Sequence, residues 1–188
     1  MRIIAGLGKG RNLLSPTGAV RPTSDRAREA LFSTLESEFG SMNDLYFLDL
    51  YCGSGAVSAE ALSRGAAFVQ AVDKEERATS VARNNHEMLA KIQGIGSSSV
   101  ITMAVTRFLE KTSDFKFDVV FMDPPYELGA SEILNSLTLL RSNGFVKKGS
   151  VIAIERDSKS KSIAWPEGFV PLKERKYGSA TIYYGEAC

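Results

Sequence analysis

An acidic residue, two prolines and a tyrosine, Asp123-Pro124-Pro125-Tyr126, close an apolar run that is typical of a buried strand. Neither proline has an N–H to donate and each fixes its own φ, so the strand must end here. The residue before each proline is restricted to extended conformations, so the backbone carbonyls there have fixed outward orientations. Open α/β sheets bind ligands at this end of their strands. The Asp123 carboxylate, the Pro124 carbonyl and the Tyr126 ring could accept hydrogen bonds from an exocyclic amino group and stack on its base.

A glycine-containing turn follows an earlier apolar strand, in the stretch Leu48-Asp-Leu-Tyr-Cys-Gly-Ser-Gly-Ala56. Gly53 and Gly55 allow the backbone to approach a ligand closely and to turn into a helix. A dinucleotide-binding loop would place a third glycine at position 58, where this chain has serine. The carboxylate of Asp49, at the end of the strand, would repel a diphosphate and would favour an ammonium group.

A further acidic strand end lies at Asp73, 20 residues after Gly53, where a carboxylate can bind a ribose diol. The ligand implied has an amine and a ribose but no phosphates near the loop, which fits S-adenosylmethionine better than NAD. Asp49, Asp73 and Asp123 thus end three predicted strands. Because the carboxyl ends of parallel strands meet at one edge of a sheet, we expect these residues to line one crevice.

Strand and helix patterns alternate along the chain, which favours a parallel sheet with helices on both faces. We predict strands at 45–50, 67–72, 100–103, 117–122 and 151–155, and two antiparallel strands within 169–184 that meet at Gly178-Ser179. Predicted helices span 25–39, with Asp25 as N-cap, then 56–64, 75–92, 106–111 and 132–141. Residues 94–99 are expected to form a flexible loop, and residues 2–5 and 12–14 a small amino-terminal hairpin.

Composition predicts one domain over residues 1–188, since 188 residues with 44% hydrophobic content can bury a single sizeable core. Neither a membrane span nor a signal peptide is indicated, so a cytoplasmic protein without membrane contact is expected. Two cysteines suggest neither a disulfide framework nor a zinc site, and no metal is expected. The single histidine, His86, lies in a polar stretch and is predicted to be a solvated helix residue.

The overall charge of +1 hides an asymmetry between the amino terminus and the rest of the chain. Residues 1–28 carry six basic residues against one acidic residue, a net +5, whereas the other 160 residues sum to −4. A basic segment punctuated by glycines suggests an arm, over about residues 1–22, that contacts a polyanion. An ordinary solvated terminus explains the charge equally well.

Four sets of residues together resemble a known enzyme family. Asp49-x-x-x-Gly53-x-Gly55, with Asp73 and the Asp-Pro-Pro-Tyr motif, resembles the class I, Rossmann-like methyltransferases. The opening Met1-Arg-Ile-Ile4 with Gly10-Arg11, the stretch from Arg21 to Phe32, and Glu60-Ala-Leu-Ser-Arg-Gly65 are more specific. Over essentially the whole chain, this set resembles the bacterial 16S ribosomal RNA guanine-N2 methyltransferase family (RsmD-like).

The resemblance implies a fold, a cofactor and a substrate. The fold would be Rossmann-like, a mostly parallel seven-stranded sheet with an antiparallel C-terminal edge strand and a small N-terminal hairpin extension. The cofactor would be S-adenosyl-L-methionine, and the substrate the exocyclic N2 of a guanine in 16S rRNA of the small ribosomal subunit. We expect a monomer. The implied cofactor-binding residues are Arg21, Pro22, Thr23, Asp49, Tyr51, Cys52, Gly53, Ser54, Gly55, Asp73 and Ala104, and the RNA-binding residues are Arg2, Lys9 and Arg11.

The implied chemistry assigns catalysis to Asp123, Pro124 and Tyr126. Guanine N2 is a poor nucleophile because its lone pair is delocalised into the ring, and acceptors on its two N–H groups would localise that pair. The same motif suits the amino group of adenine, so adenine-N6 methylation of DNA or RNA stays open. A non-catalytic RNA-binding ribosome assembly factor also stays open. Cys52 is expected to have a packing or loop role rather than that of a thiolate nucleophile.

Overall fold

The computed structural model describes residues 1–15, 24–160 and 162–188. Within them the strands are β1 (Tyr46–Leu50), β2 (Phe68–Asp73), β3 (Ser97–Thr102), β4 (Phe117–Met122), β5 (Val146–Asp157), β6 (Phe169–Tyr177) and β7 (Ala180–Ala187). The helices are α1 (Asp25–Phe39), α2 (Ala56–Ser63), α3 (Glu76–Ala90), α4 (Val105–Leu109) and α5 (Ala130–Ser142). Strand and helix alternate from β1 to β5, as the sequence pattern predicts.

These described strands form one seven-stranded sheet in the order β3-β2-β1-β4-β5-β7-β6. The pairs from β3 through β5 are parallel, whereas β7 is antiparallel to both of its neighbours, β5 and β6. The predicted mostly parallel sheet with an antiparallel carboxyl-terminal addition is therefore confirmed. The strand order reverses at β1, which leaves the carboxyl ends of β1 and β4 side by side at a topological switch point.

The two faces of the sheet bury separate apolar clusters. Along β4, Val119 and Phe121 join the cluster beneath α1 and α2, whereas Val120 and Met122 join the one beneath α4 and α5. This alternation follows from the period of two in a strand, and burial on both faces explains the nearly continuous apolar run of β4. Asp49 and Phe121 are partners in register, so the β1 carboxylate lies on the α1 and α2 face.

Three local predictions differ from the structure. Ser24, rather than Asp25, is the N-cap of α1, because its extended backbone lets the hydroxyl accept from the Ala27 N–H at 3.1 Å. The predicted loop over residues 94–99 is wrong at its end, since Ser97–Ser99 already pair with β2. β3 thus begins with three serines, and these residues belong to the strand because they pair with β2 rather than because they are apolar. β5 is also longer than predicted at both ends, because Val146 pairs with Phe117 of β4 and because Arg156 and Asp157 pair with β7.

The described part of the amino-terminal segment is fixed to the body of the protein. The predicted hairpin is present as one antiparallel bridge between Arg2 and Asn12, with Ile3 buried. Glu60, fully buried in α2, accepts from the N–H groups of Ile4 and Ala5 at 2.9 and 3.0 Å. None of the helices in the described ranges has the length and apolar character that a bilayer span requires.

Candidate active site

A crevice of about 530 Å³ opens at the carboxyl ends of β2, β1, β4 and β5. This volume is within the range of small-molecule sites. Ten of the predicted site residues line it, namely Asp49, Tyr51, Cys52, Gly53, Ser54, Asp73, Ala104, Asp123, Pro124 and Tyr126. The three acidic strand ends therefore share one crevice, as the sequence predicts. Arg21, Pro22 and Thr23 lie outside the described residues. Ser15 and Ser24, the described residues on either side of that gap, line the crevice.

Asp49 is buried against the amino terminus of α2. Its Oδ2 accepts from the Ser58 N–H at 3.1 Å, and only 1% of the residue is exposed. Burial raises the pKa of this carboxyl to about 7; the Ser58 hydrogen bonds oppose that rise, and the nearby Asp123 and Asp73 add to it. A cationic group placed in the crevice would therefore stabilise the ionised form of Asp49.

The glycine turn is tied to the second acidic strand end. Asp73 Oδ2 accepts from the Gly53 N–H at 2.9 Å, while its Oδ1 accepts from the Glu75 N–H at 3.0 Å. Each oxygen keeps a second lone pair for a ligand hydroxyl. Gly55 does not line the crevice. At its φ of +70° an added Cβ would lie 2.9 Å from the Ala82 Cβ, so the close packing of the turn on α3 requires glycine here, and a cofactor contact of Gly55 stays a prediction.

Two other predicted cofactor residues occupy the same turn and the end of β3. Burial raises the pKa of the Cys52 thiol, so the sulfur is neutral at physiological pH. This fits the predicted packing role and not a nucleophilic one. Ala104 precedes α4, and its carbonyl accepts from the Phe108 N–H at 3.0 Å. The small apolar Ala104 residue lines the crevice.

The Asp-Pro-Pro-Tyr loop is hydrogen-bonded to the neighbouring strands β1 and β5. The Asp123 N–H reaches the Leu50 carbonyl at 3.4 Å, continuing the ladder between β4 and β1 for one residue. Beyond the prolines, the Arg156 guanidinium on β5 donates to the Pro125 and Leu128 carbonyls at 3.2 and 2.9 Å. Tyr126 lies between Pro125 and Leu128 in the loop, its carbonyl is 3.5 Å from the Arg156 guanidinium, and 45% of its surface is exposed.

His86 is not the solvated residue that the sequence predicts. It is 3% exposed, and its Nε2 lies 3.0 Å from the Ser58 Oγ. Since the Ser58 hydroxyl donates to the Gly55 carbonyl, His86 Nε2 carries the proton and donates to Ser58. Burial lowers the pKa of the imidazole to about 4. His86 thus supports the turn beneath Asp49 as a neutral side chain.

Asn85, the neighbour of His86, is a second residue that the sequence analysis missed. Its Nδ2 donates to the Ser54 carbonyl at 2.9 Å and to the Leu14 carbonyl at 3.1 Å, and its Oδ1 accepts from the Leu14 N–H at 2.8 Å. It therefore joins the amino-terminal segment to the glycine turn. A signal was present in the sequence, because the apolar residues Ala82 and Leu89 stand three before and four after Asn85 and so share its helix face.

The crevice fits the cofactor that the sequence implies. A phosphate-binding loop leaves the helix amino terminus open to an anion, whereas here the Asp49 carboxylate already accepts from Ser58 at that position. A ligand with an ammonium and a ribose but no phosphates matches the donor set of Asp49 and Asp73. The predicted RNA residues Arg2, Lys9 and Arg11 are exposed and lie on the hairpin, outside the crevice lining.

The sequence matches the protein family described as Conserved hypothetical protein 95 over residues 1–186. A curated relative, the ribosomal RNA small subunit methyltransferase D of Haemophilus influenzae, is 34% identical over 181 residues, which are 95% of this chain and 89% of the relative. A solved Escherichia coli structure, described as a candidate methyltransferase, has a TM-score of 0.84 and 29% sequence identity to this chain. The match covers 100% of this chain and 97% of the Escherichia coli chain. Synechocystis magnesium protoporphyrin IX methyltransferase, solved with bound S-adenosylmethionine, shares the fold at 15% identity with a TM-score of 0.66, covering 87% of this chain and 79% of its own.

Proposed function

Because the chain belongs to the Conserved hypothetical protein 95 family, we propose that it transfers a methyl group from S-adenosylmethionine to N2 of a guanine in small-subunit ribosomal RNA. The family predicted from the sequence motifs is confirmed by this match. The name of the Haemophilus influenzae relative supports the RNA class and the reaction. The observation that carries the proposal is the position of Asp123 and Pro124 in the same crevice as Asp49 and Asp73.

The proposed cofactor end of the crevice comprises the ends of β1, β2 and β3. Asp73 would hold the ribose hydroxyls, and Asp49 would lie near the ammonium group, since each carboxylate faces the crevice at its strand end. The Tyr51 to Ser54 turn would cover the amino-acid part, with Ala104 at the adenine end. The contact expected from Arg21, Pro22 and Thr23 stays a prediction.

The proposed catalytic end lies one strand further, at the end of β4. When bound, S-adenosylmethionine supplies an electrophilic methyl group, which the guanine N2 lone pair takes up as the carbon–sulfur bond breaks and its electron pair stays on sulfur. Asp123 and the Pro124 carbonyl would accept hydrogen bonds from the two N2 N–H groups and so localise that lone pair on nitrogen. The nitrogen then loses one proton to Asp123 or to water. Tyr126 would stack on the flipped base and hold its plane.

Alignment is the main contribution that this site can make. Holding nitrogen and methyl in line can lower a barrier by roughly 7–11 kcal/mol. Proton acceptance by a positioned side chain contributes about 10²–10⁴-fold. The Arg156 contacts to the Pro125 and Leu128 carbonyls keep the double-proline loop in one conformation, which alignment requires.

The proposal is tested by methyl transfer to small subunits from a strain that lacks this protein. Tritiated S-adenosylmethionine is the donor, and the labelled rRNA is digested to nucleosides. Label in N2-methylguanosine supports the proposal. Label in N6-methyladenosine instead would overturn the base assignment, and no label in any nucleoside would favour a non-catalytic role. Cytoplasmic location and a monomeric state stay predictions, to be checked by fractionation and by light scattering.

A further inference from the structure

A fourth acidic residue lines the crevice beyond Asp123. Glu155 lies on β5, is 8% exposed, and faces the same cavity as Asp123 and Tyr126. Tyr177 and Ala180, at the ends of β6 and β7, line the wall next to it. Glu155 also closes the apolar stretch Val151-Ile-Ala-Ile that sequence analysis predicts as a strand. This is the same pattern that marks Asp49 and Asp123.

The register of the sheet places Glu155 beside Asp123. Met122 and Ile154 are partners in the parallel pair of β4 and β5, so the next residues along, Asp123 and Glu155, are adjacent. Neighbouring strands are about 4.8 Å apart. Phe121 pairs with both Asp49 and Ala153, and Glu155 is two residues after Ala153, so Glu155 lies on the same face of the sheet as Asp49.

The strand order separates this carboxylate from the cofactor end. Across the sheet the acidic residues run from Asp73 on β2 through Asp49 on β1 and Asp123 after β4 to Glu155 on β5. The first two lie at the glycine turn. Glu155 lies on the opposite side of Asp123, where the rest of a base would extend if its amino group were held at Asp123 and Pro124.

Guanine and adenine differ at the atom next to that amino group. Guanine N1 carries a proton and donates, whereas adenine N1 has a lone pair and accepts. A carboxylate accepts only. Resting on the proposed methylation of guanine N2, we propose that Glu155 is the specificity residue that accepts the guanine N1–H. It selects guanine because any base with a lone pair at N1 would face the negative charge of Glu155.

The test compares guanine with 2,6-diaminopurine at the methylated position. Diaminopurine keeps the N2 amino group but has a lone pair at N1 and an amino group in place of O6. The contact assigned to Glu155 is therefore read from the change in preference that Glu155→Gln causes, since that substitution leaves both bases the same. The methylated nucleotide is first mapped by mass spectrometry of nuclease fragments of the methylated 16S rRNA. Subunits are then reconstituted from 16S rRNA ligated to a synthetic segment that carries either base at that nucleotide. The kcat/KM ratio for the two bases is measured, together with Kd for the two RNAs in the presence of S-adenosylhomocysteine.

The wild-type protein is expected to prefer guanine at least tenfold, both in the kcat/KM ratio and in the Kd ratio for the two bases. A tenfold preference is the effect expected of one well-placed base contact. Glu155→Gln is expected to lose or invert that preference, since the amide can donate to N1 of diaminopurine. Glu174→Gln, a matched change at an exposed acid on β6, should keep the wild-type ratio. Because each ratio is measured within one protein preparation, partial loss of folded enzyme cancels.

Two results would overturn the inference while leaving the proposed function intact. One is that the wild-type protein methylates N2 of both bases equally. This measurement uses only the wild-type protein and so does not depend on the folding of any variant. The other is a Glu155→Gln protein that keeps the wild-type preference. If the wild-type protein forms no N2-methylguanosine in the tritium experiment, the proposed function fails, and the role of Glu155 fails with it.

Discussion

The backbone N–H of Ser58 donates to the Asp49 carboxylate at 3.1 Å, so a side chain of the protein itself occupies the anion position at the amino terminus of α2. Proteins that bind dinucleotides leave this position to a pyrophosphate. Filling it with a carboxylate makes this end of the crevice negative. The same hydrogen bond therefore fixes the turn and selects a cationic ligand over a phosphorylated one.

Asp49→Asn should stabilise the folded protein at alkaline pH. The folded pKa of about 7 lies above the ordinary 3.8, so the stability that this group contributes is complete below about pH 4 and is lost as the pH rises through 7. Asparagine does not titrate. The free energy of unfolding of the variant relative to wild type should rise by about 2 to 3 kcal/mol between pH 5 and pH 8. Urea denaturation at both pH values measures it.

The same substitution should weaken cofactor binding, because it removes the charge that favours an ammonium group. In the wild-type protein, affinity for S-adenosylmethionine should fall as the pH drops below about 7, where Asp49 becomes protonated. In Asp49→Asn that dependence should be absent. Calorimetric titrations from pH 6 to pH 8 test this, and a pH dependence as steep in the variant as in wild type would contradict it.

His86→Gln should show the opposite dependence of stability on pH. The folded pKa of about 4 lies below the ordinary 6.5, so the contribution of His86 is complete above pH 6.5 and is lost as the pH falls through 4. Glutamine can still donate to Ser58 but does not titrate. Between pH 7 and pH 4.5 the wild-type protein should lose about 2 to 3 kcal/mol more of its unfolding free energy than the variant.

Asp49 and His86 titrate over overlapping ranges with opposite signs, and both contact Ser58. Their effects on the wild-type curve therefore offset each other, and only the comparison with each variant separates them. Asn84→Gln, at the exposed position before Asn85, serves as the control for His86→Gln and should follow the wild-type curve. Equal slopes for wild type and His86→Gln would mean that the imidazole titrates normally.

Two of the three acidic strand ends could be predicted from the residues that follow them, whereas Asp73 was predicted from its spacing after Gly53. Glycines follow Asp49 and prolines follow Asp123, so backbone chemistry marks where those strands end. His86 was wrongly predicted to be solvated because its neighbours Asn84 and Glu87 are polar. Its burial depends on the spacing of residues that pack on α2, and on a partner hydroxyl, Ser58, 28 residues away in the chain.

Arg156 was missed for a related reason. Its partners are backbone carbonyls of the Pro125 to Leu128 loop. Every residue has such a carbonyl, so the residue types do not indicate which ones an arginine will contact. An arginine at the end of an apolar strand is as compatible with solvent as with a buried contact. Only the pairing of β5 beside β4 brings the guanidinium under the loop. Interactions of a side chain with distant backbone are the part of this site that sequence patterns cannot supply.

Arg156→Ala should slow methyl transfer while leaving cofactor affinity unchanged. The substitution removes the guanidinium from the Pro125 and Leu128 carbonyls and leaves the Pro125 carbonyl only its hydrogen bond from the Leu128 N–H, so the loop that holds Tyr126 is less constrained. We expect a fall in kcat of about tenfold or more, with a loss of about 1 to 3 kcal/mol in unfolding free energy. Single-turnover rates and calorimetric cofactor binding measure the two effects.

A positioning role for Arg156 predicts partial rescue by Arg156→Lys, since one ammonium can satisfy one of the carbonyls. Arg175→Ala, an exposed arginine on β6, is the matched control and should keep the wild-type rate. A wild-type kcat in Arg156→Ala would show that the loop holds its conformation without the guanidinium.

Asp123→Ala should reduce the rate of methyl transfer by roughly 100-fold or more, the usual contribution of a positioned proton acceptor. Cofactor affinity should change little, because Asp49 and Asp73 remain. Asp114→Asn, at an exposed position before β4, is the control. A rate within a few-fold of wild type, with cofactor still bound, would remove Asp123 from the reaction.

Replacing Arg2, Lys9 and Arg11 together by glutamine should weaken RNA binding and flatten its salt dependence. Substitution is preferable to deletion, because Ile3 is buried and the neighbouring Ile4 N–H is bound to Glu60. If all three cations contact phosphates, the slope of log K against log salt should fall by about 2 to 3. Glutamine at Lys111, Lys116 and Lys148, exposed lysines on the α4–β4 connection and on β5, makes the same change in net charge. An equal loss of slope in both triple variants would mean that overall charge, and not the hairpin, drives the binding.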